Sequence, residues 1–413
     1  MDLRARKQYL EALLERYLKA RKRHKGALLD EICRTTRQNR KYVIRKLSDL
    51  AAGKTRLIRK RKAAYGRDVQ RGLETLWAIF DFPCGQRLRP LIRTELEKLR
   101  RFGEISVSPA TAVKLMQVSP ATIDRLLRPK KGTEKTRRRY RKGSPGLIAK
   151  KIPLRMGEWK NVRVGQVDMD LVLHCGSATA GEYGHSLSTL DVFSGWWEGE
   201  VVMGRAQIRI FNALKEIESR TPFSWLSIHS DNDNAFINEM LYQYTQEKNL
   251  RFSRSRPYRK NDNAQVEQKN FTHVRRPLGY LRYDTQAELE IIRDLYRHEL
   301  RLYKNFFQSV MKLVRKERVG GRSHRTYDVP RTPYHRLLES GQLPAEKAAE
   351  LQKIYLSLNP AELKRSIDRK LDALYEIYRK KQKRSITVNP YKRQEPAMVT
   401  FLMSERPPFG LPI

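Results

Sequence analysis

Cysteine is scarce in this chain of 413 residues: Cys33, Cys84 and Cys175 are the only three, and they lie far apart. Their odd number and wide spacing supply neither a disulfide framework nor a zinc-ligand set, so reduced, buried thiols in a reducing compartment are expected. Apolar continuity is missing too. The opening stretch MDLRARKQYL has no apolar signal core, and no apolar run approaches the length that spans a bilayer. A cytoplasmic, nucleoid-associated protein with no membrane partner and no small-molecule cofactor is the expectation. Acid is the third shortage. Asp and Glu number 45 against 85 Lys and Arg, a formal charge of +40. Such an excess repels itself unless it faces a polyanion, so nucleic acid is the expected partner.

The length allows two or three domains. In the first fifty residues, Leu3, Leu10, Leu13, Leu14, Tyr17 and Leu18 recur at helical spacing. Residues 27–34 and 37–47 then read as two helices about a short break at Thr35-Thr36, a helix-turn-helix pattern. Its second helix would bring Gln38, Asn39, Arg40 and Lys41 near bases or phosphates. A second unit of this kind spans 109–127, where Ser119 as cap and Pro120 at the first helical position mark a helix start. Thr122 and Arg125 would face DNA there. Residues 129–142 hold eight Lys or Arg and one acid, Glu134, without apolar periodicity, which reads as a linker.

Farther on, chemistry-bearing residues concentrate. Residues 162–175 alternate as a strand should, with Asp168 and Asp170 two apart on one face. Charged groups on the inner face of a strand are costly unless neutralised, and divalent cations would do so. The run 223–229 (FSWLSIH) reads as a strand that ends at Ser230-Asp231-Asn232. Arg259-Lys260-Asn261-Asp262-Asn263 reads as a polar turn. Asp262 or Asn263 would cap a helix that carries Glu267 in its first turns. Thirty-five residues separate Asp231 from Glu267. That is room for a helix, a strand and a loop, enough to bring both carboxylates together.

Asp168, then Asp231 in S-D-N-x-x-x-F, then Glu267 in K-N-D-N-A-x-V-E-x-x-N resembles the DDE triad of insertion-sequence transposases with a retroviral-integrase-type core. The likeness covers roughly residues 156–316. It implies an RNase H-like catalytic core with Asp168, Asp231 and Glu267 as catalytic residues and metal ligands. Two Mg²⁺ or Mn²⁺ ions, about 3.5–4 Å apart, would clamp the attacking and leaving oxygens of a phosphodiester. It further implies metal-dependent 3′-end cleavage and strand transfer of an insertion sequence into target DNA, by a homo-oligomer on DNA. The chain departs from retroviral integrases in lacking their N-terminal His/Cys zinc quartet. Arg254, Arg256, Arg259, Lys260 and Lys269 surround the Glu267 loop and could hold phosphates. Phe271 and Val274 are expected to pack, and Asp191 and Glu182 to be turn or surface acids.

The expected organisation is multidomain, α plus α/β. A helix-turn-helix DNA-binding domain occupies 1–62, a second helical domain 63–128, a basic linker 129–155, and the RNase H-like core 156–316. A mostly helical, basic region with a tail follows at 317–413. Within the core, strands are expected at 163–175, 186–197, 198–203, 225–229 and 250–253. Helices are expected at 206–219, 234–248 and 263–278. Two other functions remain open: a catalytically silent DNA-binding protein derived from a transposase, and an RNase H-like nuclease without strand transfer.

Overall fold

The computed structural model describes residues 1–53, 65–130, 162–256, 264–319 and 321–382. The basic stretch 56–62, most of the 129–155 linker, Arg259, Lys260, the candidate caps Asp262 and Asn263, and the strand expected at 397–402 lie outside the described residues. The chain divides into two compact units, at Ala64/Tyr65.

The first unit contains α1 (Leu3–Lys19), α2 (Lys22–Thr36) and α3 (Arg40–Ala51). Their apolar faces meet in a small core of Leu10, Leu29, Ile32, Val43 and Leu47. The break between α2 and α3 falls later than expected. Thr36 stays inside α2, its hydroxyl donating to the Ile32 carbonyl at 2.6 Å. The reversal falls instead on Arg37, at φ 55°, and on Asn39, whose side chain caps α3 by accepting from the Lys41 amide.

In the second unit, α4 (Arg67–Ile79), α5 (Gly85–Arg101), α6 (Pro109–Gln117) and α7 (Pro120–Leu127) precede a five-stranded sheet. Its strands are β1 (Gln166–Leu173), β2 (Gly184–Asp191), β3 (Trp197–Met203), β4 (Ser227–Ser230) and β5 (Arg251–Arg254), in the order β3-β2-β1-β4-β5. β1 to β3 are antiparallel neighbours, whereas β4 and β5 run parallel to β1. The parallel steps need crossovers, which α8 (Gln207–Arg220) and α9 (Glu239–Glu247) provide.

Local chemistry accounts for the departures from expectation. The strand expected over 186–197 is two strands and a turn. Asp191 is a turn acid, the first of the two expected alternatives, though a buried one, and it accepts from the Gly165 amide and from the amide and hydroxyl of Ser194. Those bonds fold 192–196 into the β2–β3 turn. The helix expected from 234 begins only at Glu239. Asp233 holds the Ala235 amide in a turn, and Asn238 caps α9 by accepting from the Leu241 amide. β3 carries two buried acids. Glu200 meets Arg220 at 2.9 Å and Arg297 at 2.8 Å, and Glu198 meets Arg301 at 3.0 Å.

After the sheet come α10 (Ala264–Lys269), a π-helical stretch Asn270–Arg275, α11 (Arg276–Leu278), α12 (Gln286–Leu295), a second π-helical stretch Tyr296–Leu300 and α13 (Arg301–Phe307). The region beyond is not simply helical. β6 (Leu313–Val319) and β7 (Arg322–Tyr327) pair antiparallel as a hairpin, a pairing hidden in the sequence among helix-compatible Lys and Arg. α14 (Pro333–Glu339), α15 (Ala345–Ser357) and α16 (Pro360–Gln382) follow. Leu73 of α4, Leu96 of α5, Leu351 of α15 and Leu374 of α16 join the sheet's own residues in one apolar core. Polar ties reinforce this: Tyr303 donates its hydroxyl to the Ile79 carbonyl at 2.5 Å, and Gln308 donates to the Phe80 carbonyl at 2.9 Å.

Candidate active site

Asp168 sits within β1 and is fully buried. Its cross-strand partners are Leu190 on β2 and His229 on β4. Asp231 follows β4 directly, one residue beyond the pair formed by Met169 and Ser230, and is 6% exposed. Its carboxylate accepts from the Asp233 amide at 3.0 Å, an Asx turn that stops the strand. One candidate carboxylate therefore lies within β1, and a second lies just past the end of its parallel neighbour β4.

The third comes from α10. Val266, Lys269 and Asn270 face inward here, as do His273 and Val274 in the continuation, and the Asn270 amide donates to Asp170 at 2.9 Å. That bond ties the helix to β1. Glu267 lies one turn before Asn270 and is exposed. Among the described residues, no three His, Cys, Asp or Glu side chains converge closely enough to hold a metal ion.

The neighbouring acids have other tasks. Asp170 also accepts from the Leu171 amide, and Asp233 pairs with Arg205 at 2.6 Å. His229 lies between the hydroxyls of Ser253 and Ser255, at 2.8 and 3.2 Å, as a strand-fixing residue. Glu182 pairs with Arg209 near the surface.

Of the basic candidates around the Glu267 loop, Arg254 donates to Asn232 at 2.9 Å, and Arg256 is half-buried. Lys269 is buried, in contrast to the exposure that a DNA contact calls for. Burial, followed by the nearby charges of Arg87, Lys304, Arg336 and Lys312, lowers its ammonium to about 7. None of those four was singled out in the sequence, because they come from four separate segments. Asn270 closes the Glu267 motif, yet only the structure reveals its bond to Asp170. Phe271 is 50% exposed rather than packed, whereas Val274 is buried as expected.

In the first unit, Asn39 is occupied as the α3 cap, and Arg40 pairs with Asp30 while Lys41 is exposed. Gln38 is half-buried. In the second unit, Ser119 caps α7 through the Thr122 amide, Thr122 is half-buried, and Arg125 is exposed. Asp124 of the same helix accepts from the Gly85 amide at 2.9 Å, fastening α7 to α5.

No family model matches the chain. Among solved structures it is similar to the catalytic core domain of BIV integrase, at 16% identity, 43% of this chain, 97% of that one and a TM-score of 0.30. It is also similar to a simian T-cell lymphotropic virus intasome in complex with PP2A regulatory subunit B56 gamma, at 13% identity, 56% and 86% coverage and a TM-score of 0.30. Strand order and register, rather than these likenesses, define the core described above. No helix among the described residues is long and apolar enough to cross a membrane. In sequence, the chain is 34% identical over 337 residues to the uncharacterized protein y4rM of Sinorhizobium fredii (strain NBRC 101917 / NGR234). With that alignment spanning 81% of this chain and 96% of its relative, the chain belongs to the same family as y4rM.

Proposed function

We propose that this protein is a DNA transposase or integrase with an RNase H-like core, a polynucleotidyl transferase that cleaves the 3′ ends of an insertion sequence and joins them to target DNA. One observation carries the reading: β4 runs parallel beside β1, so that Asp168 lies within one strand and Asp231 just past the end of the other, with the helix of Glu267 bonded to β1 through Asn270 and Asp170. The donor set is all oxygen, and a fully buried position such as that of Asp168 is a costly one for a carboxylate charge. Mg²⁺ or Mn²⁺ suits such ligands, and Asp168, Asp231 and Glu267 would hold two ions. When bound, such ions activate water or a 3′-hydroxyl and stabilise the leaving oxygen. The chain's own part is positioning. β1 and the Asx turn at Asp231 fix two carboxylates, and the exposed rim at Glu267 leaves access for DNA. In the first unit, α2 and α3 fit a helix-turn-helix, with Lys41 and the exposed face of α3 toward DNA.

The test is substitution at constant size. Asp168→Asn, Asp231→Asn and Glu267→Gln should each abolish cleavage and strand transfer while DNA binding persists. Asp233→Asn, at a residue paired with Arg205, should retain substantial activity. Normal strand transfer by Asp231→Asn would refute the assignment. A second reading, a catalytically silent DNA-binding protein, is favoured by the exposure of Glu267 and by the lack of a converged trio among the described residues. Salt-dependent DNA binding without any Mg²⁺- or Mn²⁺-dependent cleavage by the unsubstituted chain would select it.

A further inference from the structure

The β6–β7 hairpin takes no part in the chemistry proposed above, and its described side chains are exposed on both faces. A two-stranded ribbon without a covering layer is marginal in water. Its register separates its charges. Arg315 and Glu317 share one face as an ion pair, opposite Thr326 and His324. On the other face Lys316 stands directly across from Arg325, and Arg318 across from Ser323. Like charges directly opposite one another destabilise a strand pair. Among the described residues, none of Lys316, Arg318 and Arg325 has an ion-pair partner.

The root of the ribbon is fixed. The Lys312 amide donates to Asp328 at 2.7 Å, and Asp328 also pairs with Arg336 at 2.7 Å. The Lys312 ammonium donates to the Val192 carbonyl at 3.0 Å, and the Val192 amide donates to Gln166, the first residue of β1. Three unneutralised cations are thus held on a ribbon rooted two residues from Asp168 along that strand.

We infer that the Lys316–Arg318–Arg325 face of this ribbon docks on the phosphate backbone of double-stranded DNA. The inference rests on the DNA reading above and assigns it a surface. A polyanion removes the cross-strand repulsion between Lys316 and Arg325, and a two-stranded ribbon has the width that the major groove of a duplex admits. The cations meet phosphates, so the contact is indifferent to sequence.

The experiment uses the full chain and a labelled random-sequence duplex, with anisotropy read over a series of NaCl concentrations. Replacing Lys316→Ala, Arg318→Ala and Arg325→Ala together should make the slope of log K against log salt shallower by about 2.7, for three lost phosphate contacts. Affinity near 100 mM salt should drop on the order of 10²-fold. Arg315→Ala with Glu317→Ala, on the other face, should leave the slope unchanged. Equal slopes for the triple variant and the unsubstituted chain would overturn the inference. Unsubstituted protein that binds no DNA would instead overturn the DNA reading itself. Photocrosslinking decides the matter independently of how the triple variant folds. A p-benzoylphenylalanine at position 323 should crosslink the duplex and one at position 324 should not. DNA-binding protein that fails to crosslink from 323 also sinks the inference.

Discussion

Lys269 brings an ammonium into a buried site whose nearby charges, Arg87, Lys304, Arg336 and Lys312, are all positive. Burial and these neighbours bring it from 10.5 to about 7 in the folded chain. Between those two values the unfolded chain binds the extra proton, so folding gains stability as pH rises from about 7 to 10.5. Below pH 7 the cost is fully present, at most about 5 kcal/mol. Lys269→Met should therefore stabilise the protein at pH 6.5, with an advantage that shrinks steadily toward pH 10. Urea denaturation across that range reads it, and an advantage independent of pH would mean that Lys269 is charged and solvated after all. The sequence placed Lys269 beside Glu267 correctly but not its direction. Two positions along a helix turn a side chain about 200°, to nearly the opposite side, from the exposed rim into the interior.

Elements were legible where the determining contacts are local. The strand before Asp231 and the helix of Glu267 follow from neighbours within a few residues, whereas the turn after Asp231 delays to Glu239 a helix expected from 234. The β2–β3 turn was missed because Val192, Phe193, Trp196 and Trp197 suit a continuous strand, although Asp191 and Ser194 close it locally. The β6–β7 hairpin was missed because its strands are built from Lys and Arg, which suit helices equally well. β3 offers a test of how elements are joined. Glu200 gathers Arg220, Arg293 and Arg297 from α8, from α12 and from the π-helical stretch after it. Glu200→Ala should lower stability by about 3 kcal/mol, the low end for breaking a buried pair, because the arginines stay partly solvated. Chemical denaturation measures it, and a loss under about 1 kcal/mol would make the network no more than a set of surface pairs.

At the scale of the whole molecule, the helices between 65 and 127 pack in one core with those between 286 and 382. Their joint burial rests on contacts more than two hundred residues apart, such as Tyr303 with Ile79, and no local pattern reveals these. Fragments report it. Residues 1–64, with a core of their own, should give a soluble helical species with a cooperative thermal transition. Residues 1–128 should aggregate, since Leu73, Phe80 and Leu96 lose the partners that cover them. Circular dichroism and size exclusion distinguish the outcomes, and a monomeric, cooperatively folding 1–128 fragment would show that α4 to α7 stand alone.

The division at Ala64 also sets a timetable. A chain grows from its N-terminus at about 5–20 residues per second, and domains fold as they emerge. The first unit is complete roughly 10–40 s before Glu267 is joined. Asp168, Asp231 and the helix that completes their surroundings are delivered one after another, with β4 between them. A ribosome making this protein thus presents a finished basic helical unit well before Asp168, Asp231 and the Glu267 helix can be brought together.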